Sequence, residues 1–186
     1  MPSKREKTPS KRMRRIAVVI CEGVTEENYI NLLKKWYRSP IRIISHIEGT
    51  KITQSLVDNR TKELKISQWD KVDTFLMYDM DVPAINEKLL SCKVNFLLSN
   101  PCFELWLLLH SKDQKVCIDT DSVIKELKKI ALWGNYTKST FSDTQQAFLK
   151  KNMDVAIGRS KNLVEFQNPS TCVYKLIEIL KDSISN

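Results

Sequence analysis

Residues 15–29, RIAVVICEGVTEENY, constrain the fold more than any other stretch of the chain. Ile16, Ala17, Val18, Val19 and Ile20 run apolar without alternation, and so short a run indicates a strand buried on both faces. The run stops at Cys21-Glu22-Gly23, which leaves Glu22 at the strand's C-terminal end. Gly23 is expected to allow a turn with positive φ. Thr25 is expected to cap a helix whose apolar side is Tyr29, Leu32, Leu33, Trp36 and Tyr37, spaced by threes and fours. In open α/β sheets this is the edge where ligands bind.

A second strand ends in the same way. Thr74 to Tyr78 run apolar into Asp79-Met80-Asp81, and Val82-Pro83 then breaks the extended stretch. Alternation puts Asp79 and Asp81 on one side of the chain if the strand continues through them. Were the two strands neighbours, Glu22, Asp79 and Asp81 would crowd one rim. Carboxylates that close raise one another's pKa unless a cation neutralises them, so the cluster would favour Mg²⁺ or Mn²⁺.

The remaining segments suit an α/β fold. Ile41 to Ile47 reads as a strand, Ile52 to Ile66 as a helix with Leu56, Val57 and Leu64 inward, Ala84 to Ser91 as a short helix, and Val94 to Leu98 as a fourth strand. Strands alternating with helices predict βαβ crossovers and a mainly parallel four-stranded sheet flanked by helices. Ser99-Asn100-Pro101 is expected to open a helix, with Asn100 as a cap and His110 ending it. Phe103 and Leu105 to Leu109 cover every side of that helix, so it should be buried with Glu104 inside it, either in an ion pair or at the site. The C-terminal third reads as a helical addition. One helix carries Val123, Ile124, Leu127, Ile130 and Ala131, a second opens at the capping box Ser142-Asp143-Thr144-Gln145, and the last carries Val173, Leu176, Ile177 and Leu180. The expected organisation is a basic tail over 1–14 and one domain over 15–186, with its sheet core in about 15–110 and the helical addition in about 111–186.

Composition removes several function classes. Cys21, Cys92, Cys102, Cys117 and Cys172 form no CxxC pair, which argues for reduced, mostly buried thiols rather than disulfides or a zinc knuckle. With His46 and His110 as the two histidines, any metal must rely on oxygen ligands, and His46 is expected to be structural. The four glycines fit neither GxxxxGK nor GxGxxG. No apolar stretch approaches the roughly 20 residues of a membrane span, and no hydrophobic leader precedes the first strand, so a cytoplasmic protein is expected. Of the net charge of +8, residues 1–15 carry +6 and the remainder +2. Arg12 and Arg14 therefore sit in a tail expected to be disordered, read equally as a phosphate-seeking arm or as solvated chain. Trp133 to Lys138 is a loop whose rings either stack on bases or anchor the loop to the core, the latter favoured. Lys138, Arg159 and Lys161 are candidates for contacting phosphate, with solvated surface the default reading.

The residues Glu22-Gly23 and the Asp79-Met80-Asp81 triplet resemble the Toprim site of topoisomerases, primases and overcoming-lysogenization-defect nucleases, and Glu26 matches an acidic position that many Toprim proteins carry. CEGVTEENY, DMD, SNPCFELWLLLH and NPST, in that order, resemble the RloB family of prokaryotic defence proteins. The resemblance implies a Toprim-like (Rossmann-like) fold and a role in antiviral or abortive-infection defence, beside an ATPase or another sensor. The expected activity is a Mg²⁺- or Mn²⁺-dependent nuclease cleaving DNA or RNA, with Glu22, Asp79 and Asp81 catalytic. These three would hold one or two metal ions together with Glu26 and Glu104. A homodimer is a further expectation. The alternative is a non-catalytic module that binds nucleic acid or a regulatory partner through the tail and the helical addition.

Overall fold

A computed structural model describes residues 14–64, 67 and 69–185. Arg12 and the other tail residues up to position 13, together with Lys65 and Ile66 of the expected second helix, lie outside the described residues. Strands β1 (Arg15–Cys21), β2 (Arg42–Ile47), β3 (Lys71–Met77) and β4 (Asn95–Phe96) form a parallel sheet in the order β2-β1-β3-β4. Helices α1 (Val24–Tyr37), α2 (Gln54–Lys62) and α3 (Pro83–Ser91) connect them. This is the expected α/β architecture, a Rossmann-like arrangement in which parallel neighbours are joined through helices.

The unbroken apolar run of β1 has the two-faced burial it predicts. Ala17, Val19 and Cys21, with Phe75 and Met77 of β3, belong to one hydrophobic cluster; Ile16, Val18 and Ile20, with Leu76 and Tyr78, belong to a second. The second cluster is closed by α2 and α3 through Val57 and Leu89. The first is closed by α1 and by the helices of the C-terminal half: α4 (Glu104–Leu109), α5 (Thr120–Lys128), α6 (Asp143–Lys151), α7 (Met153–Lys161) and α8 (Tyr174–Ser185). Helix α4 is buried along its whole length, as its all-round apolar sequence requires.

Several boundaries differ from the sequence reading for identifiable reasons. Helix α1 starts at Val24, so Thr25 lies inside it rather than capping it. The second helix spans Gln54–Lys62, because Thr53 is its N-cap and its Oγ1 accepts from the Leu56 N–H at 3.2 Å. Ser99 and Asn100 do not open a helix. They form β5, which pairs antiparallel with β6 (Ser170–Thr171). The Asn100 side chain donates to the Phe166 carbonyl at 2.9 Å instead of capping α4, and Ser99 Oγ lies 2.9 Å from Thr171 Oγ1. Asn168 has the same bridging chemistry, its amide meeting both the N–H and the carbonyl of Ile118. The NPST segment is thus sewn onto the end of the sheet, with the Cys172 N–H reaching the Leu98 carbonyl at 2.8 Å. Helix α7 has no counterpart in the sequence reading. The capping box at Ser142 and Gln145 opens α6 as expected, and His110 ends α4. Cys117 is exposed and the other four cysteines are buried and free, in keeping with their scatter.

An aromatic array locks the first cluster. The Tyr29 ring lies 5.4 Å from Phe103, 6.3 Å from Trp36, 6.5 Å from Trp106 and 6.3 Å from Phe141, centroid to centroid. Phe141 in turn packs on Trp133, and Trp133 on Tyr136. Edge-on contacts of this kind add to the burial of large rings. Trp106→Ala is expected to lower stability by about 3–5 kcal/mol, the usual cost of emptying a buried aromatic site. Arg38, the α1 C-cap, sits in the left-handed region at φ 44°. Arg38→Gly is expected to raise stability by about 0.5–1 kcal/mol by relieving that conformation. Urea unfolding at neutral pH checks both.

Candidate functional site

The site is built by strand register. Cys21 of β1 pairs with Met77 of β3, and the ladder runs one step further as the Glu22 N–H donates to the Met77 carbonyl at 3.0 Å. This sets Glu22 beside the residues just past β3. Its Oε2 accepts from the Asp79 N–H at 3.0 Å. Asp79 forms an isolated bridge with Ser99, and its Oδ1 accepts from the Phe103 N–H at 2.7 Å. The Asp79 carboxylate therefore ties the end of β3 to the turn that leads into α4.

Gly23 is extended, with φ −143°, so its role is not the positive-φ turn expected from sequence. What it provides is close approach. Glu26 folds back so that its Oε2 accepts from the Gly23 N–H at 3.1 Å, and a Cβ at position 23 would stand 3.2 Å from that oxygen. Glu26 is itself buried on the first turn of α1.

Glu104 completes the group from α4. It is 1 % exposed; its Oε1 accepts from the Tyr136 hydroxyl at 3.1 Å and lies 3.5 Å from Lys138 Nζ, while its Oε2 is buried with no hydrogen-bond partner. A buried carboxylate oxygen left unpartnered is costly unless a cation or a water meets it.

The electrostatics bind Glu22, Glu26, Asp79 and Glu104 into one unit. Burial, then the charges of Glu26, Glu104 and Glu22, push Asp79 well above the usual carboxylate range. Burial, then Glu104 and Glu22, raise Glu26. Burial and the Asp81 charge raise Glu22, opposed by the hydrogen bond from Asp79 and by Lys138. All three shifts have the sign produced by like charges sharing a dehydrated edge.

Asp81 is placed differently from its neighbours. Strand β3 ends at Met77, so the alternation that would align Asp79 with Asp81 does not extend that far. Asp81 is exposed, and its Oδ2 accepts from the Thr120 hydroxyl at 3.3 Å. It lines a cleft of about 540 Å³ with Asn100, Asp119, Thr120, Asp121 and Asn168. Its charge still reaches Glu22. Asp119 and Asp121 carry no signal in the sequence that links them to Asp81, because the fold rather than chain proximity brings them there. Tyr136 has a core-anchoring ring and a hydroxyl on the site, so the favoured reading of its loop holds while missing that contact. Two of the proposed phosphate contacts have other partners for their side chains: Arg159 donates to the Leu109 carbonyl at 2.7 Å and Lys161 pairs with Glu178, while Arg14 meets Asp70 through its backbone N–H. His46 lies on β2, paired in register with Ile20 of β1, and makes no hydrogen bond to Glu22, Glu26, Asp79 or Glu104.

Among the described residues, no three His, Cys, Asp or Glu side chains stand close enough together to hold a metal ion as arranged. The donor chemistry nevertheless fits a hard divalent cation. It consists of carboxylate oxygens, several held above their usual pKa, one of them orphaned on Glu104. The raised Asp79 has a signed consequence. Since the folded state disfavours its ionised form, stability is lost as pH rises from the ordinary value of 3.8 through the raised folded value. Asp79→Asn escapes that loss and keeps an oxygen for the Phe103 N–H. Without divalent ions, it is expected to raise Tm at pH 7.5 by about 2–4 °C for each kcal/mol relieved, a gain that vanishes as the pH approaches 3.8 in parallel thermal melts.

No curated protein and no solved structure matches this chain. No helix among the described residues is long and apolar enough to cross a membrane. A family model described as RloB-like protein matches residues 17–180, a span that takes in Glu22, Glu26, Asp79, Asp81 and Glu104 together with most of the strand ladder that positions them. The chain belongs to the RloB-like protein family.

Proposed function

We propose that this chain is a Mg²⁺- or Mn²⁺-dependent nuclease of the Toprim type, acting on DNA or RNA in antiviral or abortive-infection defence beside an ATPase or another sensor. The observation that carries the reading is the buried carboxylate group at the C-terminal edge of the sheet, with its unpartnered Glu104 oxygen. Glu22, Glu26, Asp79 and Glu104 would hold the metal, and Asp81 would meet it or the substrate from the adjoining cleft. A bound divalent ion supplies charge neutralisation for a phosphodiester and lowers the pKa of bound water.

The chain's own residues supply the rest. Their raised pKa values mean that the carboxylates keep protons more readily than ordinary ones, and a cation displaces those protons. The Asp79 N–H fixes the orientation of Glu22, and the Phe103 N–H fixes that of Asp79, so neither depends on the metal for placement. Glu22, only partly buried, is also suited to taking a proton from an attacking water.

Plasmid, single-stranded DNA, tRNA and nucleotides incubated with Mg²⁺ or Mn²⁺ would identify the substrate. On whichever is cleaved, Asp79→Asn is expected to lower the rate by more than the roughly 100-fold that loss of an outer-shell partner costs, while remaining folded. Asp81→Asn is expected to have a smaller effect, since its carboxylate faces the neighbouring cleft. Undiminished metal-dependent cleavage by Asp79→Asn would exclude this site as the active centre.

A further inference from the structure

The loop after Trp133 brings two groups to the same oxygen of Glu104. Tyr136 donates a hydrogen bond at 3.1 Å, and Lys138 places its ammonium at 3.5 Å. These contacts differ in permanence. The Tyr136 ring is buried and packed 5.7 Å from Trp133, so its hydroxyl is a fixed donor. The Lys138 side chain is 53 % exposed, against 1 % for Glu104. Its backbone is nevertheless pinned, because Asn28 of α1 donates to the Ser139 carbonyl and the Thr137 and Ser139 hydroxyls lie 3.1 Å apart. A lysine held at its root with a solvent-reaching tip can swing away by side-chain rotation alone.

Glu104 Oε2 has no partner even with Lys138 in place, so the lysine satisfies the buried carboxylate incompletely. The Lys138 charge also favours the ionised forms of Glu22 and Glu26, which extends its influence across the cluster. An ion that needs several oxygens at once can meet Oε2 where a single ammonium on Oε1 does not.

We infer that Lys138 is a tethered, displaceable counter-ion of the carboxylate cluster, which competes with a divalent cation for Glu104 and leaves for solvent when the cation binds. The inference rests on the metal-dependent reading above and adds to it a control on metal occupancy. By linkage, any free energy that the ammonium gives the metal-free protein is subtracted from metal affinity.

Two measurements on the full chain test it. In chelator at pH 7.5, Lys138→Met is expected to lower Tm by about 2–4 °C, Lys138→Arg to keep it, and Glu104→Gln to erase the effect of Lys138→Met. In calorimetric titration with Mn²⁺ alone, Lys138→Met is expected to bind about fivefold or more tightly than the wild type. An equal Tm effect of Lys138→Met in the wild-type and Glu104→Gln backgrounds overturns the counter-ion role. Wild-type Mn²⁺ binding that is unchanged or weakened in Lys138→Met overturns the competition while leaving the metal centre standing. Failure of both proteins to take up Mn²⁺ removes the inference and the metal-dependent reading together.

Discussion

The in-register ladder between β1 and β3 is the constraint on which the rest of this molecule depends. Its pairs run from Arg15 with Lys71 to Cys21 with Met77, and the next hydrogen bond along it delivers Glu22 to Asp79. A slip of one residue would turn every side chain of β1 to the opposite face. Both faces are apolar here, so burial alone discriminates weakly between registers. The polar ends do so more strongly: Arg15 pairs with Asp73 at one end of the ladder, and Glu22 accepts from Asp79 at the other.

Around that ladder the protein gathers acidic groups where hydrophobic burial would ordinarily exclude them. Glu26 and Glu104 come from helices whose other inward residues, Thr25 apart, are apolar, and each is carried inside by its neighbours: Tyr29, Ile30 and Leu33 on α1, and Leu105 to Leu109 on α4. The packing energy of those side chains, about 1.5–3 kcal/mol apiece, offsets the dehydration of the carboxylates. Backbone N–H groups of Gly23, Asp79 and Phe103 supply part of the lost hydration. Such local frustration inside an otherwise consistent fold is characteristic of sites kept for function rather than stability.

The strands and the carboxylates at their ends were legible because each rests on a local signal. Short apolar runs that stop at Glu22 and Asp79 need no knowledge of the rest of the chain. What escaped the reading depends on partners far along the sequence. Ser99 and Asn100 look like the start of a helix until residues 166–171 are laid against them, and the partner that Asp81 meets, Thr120, lies far downstream. The positive-φ turn expected at Gly23 gives way to extended backbone, because the close approach of a side chain leaves no mark in the sequence that a turn would not also leave. Helix α7 is not legible from the sequence, because Gly158 and Ser160 dilute a periodicity that Met153, Ala156 and Ile157 alone would carry.

The short ribbon of β5 and β6 has a consequence for biosynthesis. Ser99, whose carbonyl accepts from the Met80 N–H, is held on its other side by Thr171, more than seventy positions downstream. The acidic edge therefore lacks one wall of its frame while residues 99–169 are being translated, and it closes only after Ser170 and Thr171 have left the ribosome. A nascent chain carries the full set of carboxylates long before it carries the scaffold that orients them.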